Sequence, residues 1–165
     1  MDPSTTNNQE STLWRFALRL WRDKRVERIC LRLQDDYGVP VATLLVALWL
    51  AAAGRRPDAA LGRRLTAHAE QFEEHYLRPL RAVRRRAAAD QGTAELKRQI
   101  QEAELEGERL LLDQLAGLAR TQPGEGPVKA LGWLLLVVPE LAQCEGLQEL
   151  LEELARLSES RAANE

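Results

Sequence analysis

Apolar residues recur along this chain with a spacing of three and four, and strict alternation is absent. Leu13, Phe16, Ala17 and Leu20 form one stripe, with Trp14, Leu18 and Trp21 beside it. Val26, Ile29, Cys30, Leu33 and Tyr37 form the next. That period predicts amphipathic helices over about 12–21, with Ser11 as N-cap, and from Asp23 or Lys24 to Gly38. Between Gly38 and Gly54 the pattern changes. Residues 39–53 contain one polar side chain, the hydroxyl of Thr43, so the predicted helix is apolar on every side and needs other helices around it. Pro40 suits a helix start and Gly54 a C′ position with positive φ. At about 1.5 Å per residue the run falls short of the roughly 30 Å hydrocarbon core, so no membrane span is expected. Trp49, inside the run, is expected in the core, where truncation to Ala costs about 3–5 kcal/mol.

Pro57 and Asp58 punctuate the chain, with Asp58 placed to cap the helix that follows. That helix covers about 59–88, its stripe running Leu61, Leu65, Ala69, Phe72, Tyr76, Leu80 and Val83. Pro79 lies inside it and predicts a kink or break near Tyr76 to Arg78. After a turn at 90–93, a fifth helix extends to about Arg120 on Leu96, Ile100, Ala103, Gly107, Leu110, Leu111, Leu115 and Leu118. Ala103 and Gly107 are small enough for a second helix to come close, while Glu95, Glu102, Glu104, Glu106 and Glu108 fall on outer faces. A helix opening at Pro127 and carrying Leu131 to Val138 follows; its β-branched end is also compatible with a strand. A last amphipathic helix carries Leu147, Leu150, Leu151, Leu154 and Leu157. The expected fold is all-α: a single-domain bundle of about six to seven helices around the apolar helix at 40–53. A core spans 12–120 and a C-terminal extension 127–157, with disordered tails at 1–11 and 158–165.

Composition agrees. Of 165 residues, 45% are hydrophobic and 29% charged, ordinary for a globular protein, and helix formers dominate. Arg outnumbers Lys by 20 to 3, a bias that GC-rich coding produces without any selection for guanidinium chemistry. The net charge of −2 gives no bulk attraction to nucleic acid or anionic lipid. The charge is unevenly placed: residues 12–90 sum to +7 and residues 91–165 to −7. Cys30 and Cys144 sit among apolar residues without metal-ligand spacing, so reduced buried thiols in a cytoplasmic protein are expected. Residues 1–12 have neither an apolar core nor a basic start, so no signal peptide is expected.

Candidate chemistry is sparse. Arg78, Arg81, Arg84 and Arg85 lie in a basic run that offers a face for a phosphate, an RNA backbone or an acidic partner. A short turn places the Glu-rich helix antiparallel beside it, so the same arginines can pair within the molecule or across a dimer. Asp35 and Asp36 stand at a helix C-terminus, the unfavourable end for acids, and with His68 form the weaker alternative, an enzymatic site. Val39 occupies the place where a prenyl-transfer type of aspartate motif needs another Asp. His68 and His75 are seven residues apart, about 10 Å along a helix, too far to share a metal by themselves. No phosphate loop, nucleophile–base pair or metal-ligand set is apparent, and no cofactor is expected.

Several stretches in order look like one family: Leu13-Trp14-Arg15-Phe16-Ala17-Leu18, Cys30-Leu31-Arg32-Leu33-Gln34-Asp35, the run at 44–50, Arg78-Pro79-Leu80-Arg81, Ala103-Glu104-Leu105-Glu106 and Glu108-Arg109-Leu110. Over residues 12–118 the chain resembles a proteobacterial family of conserved hypothetical proteins, a domain of unknown function. The resemblance implies a small helical bacterial protein and no assigned activity. The chain departs from that pattern at Pro40 and Ala42, where the family has Asp and Asn, and residues beyond Gln122 lie outside it. The expected role is a non-enzymatic module that binds a protein partner or itself. Binding of RNA or a phosphate ligand through the Arg78–Arg86 face is one alternative, and an enzyme using Asp35 and Asp36 is the other.

Overall fold

A computed structural model describes residues 12–124, 126–138 and 144–164. The tail expected at 1–11, the Ser11 cap and the break expected at Pro139 lie outside the described residues. The helices are α1 (Thr12–Trp21), α2 (Lys24–Tyr37), α3 (Val41–Ala52), α4 (Ala59–Phe72), α5 (Arg78–Ala89), α6 (Ala94–Leu118), α7 (Ala130–Val137) and α8 (Glu145–Ala162). A π-helical turn, Glu73–Leu77, joins α4 to α5, so those pieces form one bent rod and the described residues build a seven-rod all-α bundle. Among the described residues, the only bridge between extended residues is an isolated antiparallel one, Arg55 to Gly124.

α3 is the axle. Eight of its twelve residues, Thr43 to Leu48 with Leu50 and Ala51, are buried. It packs against α1, α2, α4, α6, α7 and α8. Each fully buried Leu there contributes about 1.5–3 kcal/mol. Its single polar side chain is satisfied locally: Thr43 Oγ1 donates to the Pro40 carbonyl at 2.7 Å. Trp49 departs from expectation, being only partly buried at one edge of the helix. The tryptophan at the centre of the core is Trp133 of α7, fully buried. No helix of the described residues is long and apolar enough to cross a membrane.

Caps fix the ends. Asp23 accepts from the Arg25 N–H and starts α2, and Asp58 accepts from the Leu61 N–H at 2.7 Å and starts α4. Gly54 ends α3 with φ +65°, and the Gly126 carbonyl lies 2.8 Å from where a Cβ would stand, so a side chain is excluded on both counts. Pro79 acts upstream of itself. Its ring would strike the carbonyl four residues back, and it has no N–H to offer. The rod answers with the π turn, in which the Arg78 N–H reaches the Glu73 carbonyl five residues back.

The C-terminal extension closes the core. α7 lies on α3 and α4, and α8 lies on α7, α2 and α3. α7 begins at Ala130, three residues after Pro127, and is helical where a strand was also compatible. α8 continues to Ala162 and buries Ser158, so the tail expected from 158 is helical through most of its length. Cys144 is exposed, contrary to the expected buried thiol. Cys30 is fully buried, and burial pushes its thiol up to about 12.

Candidate functional site

Beyond the bundle, α5 and the first half of α6 form a hairpin. α5 packs closely on α6 and on its own π turn, and Ala87 is its one buried residue. The chains meet closely at Gly107, where Leu77 Cδ2 lies 2.8 Å from the position of an absent Cβ. The α6 stripe is therefore only half covered: Leu111, Leu112 and Leu115 are buried, while Leu96 and Leu110 are exposed.

The arginine face divides. Arg81 donates to Glu73 Oε2 at 2.6 Å and lies 3.6 Å from Glu108 Oε1. Arg84 donates to Glu104 Oε1 at 2.6 Å. Glu104 is thus buried against α5 rather than on an outer face, because the Arg84 guanidinium compensates its charge there. Arg86 pairs with Asp90. Arg78 and Arg85 are exposed and have no acidic partner among the described residues.

One side of the hairpin is an open groove lined by Phe72, Tyr76, Leu80, Ala103, Gly107 and Leu110, with His68 and His75 at its end. The Phe72 and Tyr76 rings lie 4.9 Å apart, tilted at 53°. His68 shares a 2.6 Å hydrogen bond with Gln114 of α6, which fixes the imidazole between helices. His75 is exposed and meets Tyr76 edge-on.

The other side closes on α1, α2 and α3 around a cavity of about 190 Å³. Its walls include Trp14, Trp21, Leu45, Leu77, Leu111 and Leu112. Leu18, Leu31 and Leu105, each at least 41% exposed, border its mouth. Glu73, Arg81 and Glu108 form its polar end, with Gln34 also on the wall. Burial pushes the Glu108 carboxyl above the ordinary carboxylate range; Arg81 pulls it down, and Glu104 and Glu73 push it further up. Burial opposes the Arg81 charge, but Glu73, with Glu108 and Glu104 behind it, holds the guanidinium above its ordinary value.

Of the candidate site residues named from sequence, only Arg81 lines this cavity. The two indoles were visible as a stripe, but Glu73 was hidden because the π turn rotates it inward. Asp35 is exposed, and Asp36 pairs with Arg32 one turn back at 3.4 Å. No described contact joins either to His68. No group of three or more His, Cys, Asp or Glu able to hold a metal ion occurs among the described residues.

No curated protein and no solved structure matches the chain. A family model described as a protein of unknown function (DUF2390) matches residues 12–115. That span takes in α1 to α5, most of α6 and every residue named around the cavity, and the chain belongs to that family.

Proposed function

We propose that this protein is a non-enzymatic interaction module that pairs with a second copy of itself through the open side of the α5–α6 hairpin. The observation that carries this reading is a row of large apolar side chains: Tyr76, Val83, Leu96 and Leu110 are 42–57% exposed. Single exposed leucines are ordinary on any surface. These recur at seven-residue steps, Tyr76 to Val83 and Leu96 through Ala103 to Leu110, which keeps each set on one face of its helix.

Charge argues for a second copy as the occupant. α5 carries five arginines and no acid, while α6 carries six acids against three bases. A two-fold axis can lay α5 of one copy over α6 of the other, a self-complementary arrangement. Arg86, within about 60° of Val83 around α5, would then meet a carboxylate, while Arg78 and Arg85 lie on the opposite face with Arg81. Such rim pairs are worth about 0–1 kcal/mol each, so they orient the pairing while the apolar row supplies the affinity.

Sedimentation across a concentration series tests it. The expected result is a concentration-dependent dimer that Val83→Glu or Leu96→Glu converts to a monomer of unchanged helicity. A monomer at every concentration overturns the reading, even if the hairpin captures some other protein.

A second reading is supported by Arg78 and Arg85 alone: two exposed guanidiniums without acidic partners among the described residues suit a phosphate or an RNA backbone. Arg81 and Arg84, occupied by glutamates, reduce the four-residue face to two. RNA binding that weakens steeply with salt and is lost in Arg78→Glu/Arg85→Glu would support it; salt-insensitive or absent binding dismisses it.

A further inference from the structure

We infer that the cavity between α1, α2, α3 and α6 is a binding site for a small hydrophobic amine, with its protonated nitrogen directed at Glu108. The argument begins with size. A dry apolar cavity of about 150 Å³ accommodates a benzene ring, so about 190 Å³ holds a ring or a short aliphatic chain of about six to eight heavy atoms. The walls suit such a body: two tryptophans and seven leucines surround it. The mouth is open, because Leu18, Leu31 and Leu105 are exposed and half of the Glu108 side chain is reached by solvent.

The polar end selects the head group by charge. Two carboxylates, Glu73 and Glu108, share the single guanidinium of Arg81. They do so unequally. Glu73 takes Arg81 through both oxygens, at 2.6 and 3.4 Å, whereas Glu108 has only a 3.6 Å approach. The Arg84–Glu104 pair next to them is balanced and adds no net charge. The cavity therefore ends in one carboxylate in excess. An ammonium group supplies the missing cation and donates hydrogen bonds to Glu108. A carboxylate ligand meets the opposite situation. Its only cation is already held by Glu73, and its charge adds to Glu108.

The site lies on the closed side of the hairpin, so it does not depend on how the open side pairs. Its test uses the full ¹⁵N-labelled chain, whose four tryptophans give separate indole N–H signals. Hexylammonium, hexanol and hexanoate are the probes. The expected result is that hexylammonium moves the Trp14 and Trp21 signals and leaves Trp133, which is buried in α7, and Trp49 in place. Hexanoate should bind at least about tenfold more weakly than hexylammonium. Glu108→Gln should bring hexylammonium down to the level of hexanol. Ala42→Leu, which fills the cavity from α3 without changing charge, should abolish binding of all three, and an unmoved Trp133 signal checks that each variant remains folded. Hexanoate binding as tightly as hexylammonium, binding that survives Ala42→Leu, or static Trp14 and Trp21 signals would each overturn the assignment.

Discussion

The indole N–H of Trp133 donates a 2.9 Å hydrogen bond to the backbone carbonyl of Arg55. It ties α7 to the connector that leaves α3. Arg55 also donates through its guanidinium to the Gln122 carbonyl at 2.7 Å, and the Arg56 N–H reaches the Pro123 carbonyl. The fully buried Trp133 is thus packed on α3 and satisfied at its one polar atom. Trp133→Ala should cost about 3–5 kcal/mol. Trp49→Ala should cost distinctly less, because Trp49 is only partly buried. Chemical denaturation of the two variants checks the order; a larger loss at Trp49 would contradict it.

The same contacts bear on where the domain ends. The matched family region stops at residue 115, but α7 covers α3 and α4, and α8 covers α2 and α3. A chain ending after Gln122 would uncover the part of α3 that borders these helices, Leu48 and Ala51 included. It should lose its cooperative thermal transition or aggregate, read by circular dichroism and light scattering. A truncated chain that unfolds cooperatively near the full-length midpoint would show that the extension is dispensable.

Much of the architecture was legible in the sequence because the physics there is local. The apolar run at 39–53, Asp58 as a cap, Gly54 with positive φ and Pro79 as a disturbance are each set by residues within a few positions. What escaped depends on distant partners. Periodicity gives Glu104 and Leu110 no sign of which will be covered. Glu104 is buried because Arg84 meets it from twenty residues away, while Leu110 stays half outside because it borders the open groove beside Phe72 and Tyr76. A regular helical wheel sets Glu73 and Arg81 about 80° apart, and the π turn, which periodicity does not announce, brings them together on the buried side. Trp49 looked central for its neighbours in sequence, but a helix packed on many sides still leaves one edge.

The Glu73–Arg81 pair gives a sharper energetic expectation. Both side chains are largely buried, 10% and 16% exposed. Arg81→Ala leaves Glu73 without its cation and should destabilise by about 2–4 kcal/mol. Replacing both, Glu73→Leu with Arg81→Met, should recover most of that loss, since neither charge then has to be desolvated and only the half-exposed Glu108 loses its 3.6 Å approach. Urea denaturation of the single and double variants decides it. Additive losses in the double variant would mean that the two residues act separately.

Two carboxylates should make stability depend on pH in opposite senses. The hydrogen bond from Arg25, with the charge of Arg161 nearby, holds Asp23 well below the usual carboxylate range even though burial opposes it. Its folded pKa lies under the unfolded value of about 3.9, so the stability it contributes is present above that value and is lost as the pH falls through and below it. Asp23→Ala also removes the α2 cap and should cost about 1 kcal/mol at neutral pH, a deficit that narrows in acid. Glu108 behaves the other way. Burial, with Glu104 and Glu73 facing it, raises its folded value above the unfolded value of about 4.3 despite Arg81. Between those two values the folded chain binds more protons than the unfolded one, so its stability declines as the pH rises through that window. Glu108→Gln removes the decline, and its stability relative to the wild type should grow from about pH 4 upward until the folded carboxyl is ionised. Thermal midpoints of the wild type and both variants across a pH series measure the two slopes. If both variants track the wild type at a constant offset, neither carboxylate titrates differently in the fold than in the unfolded chain.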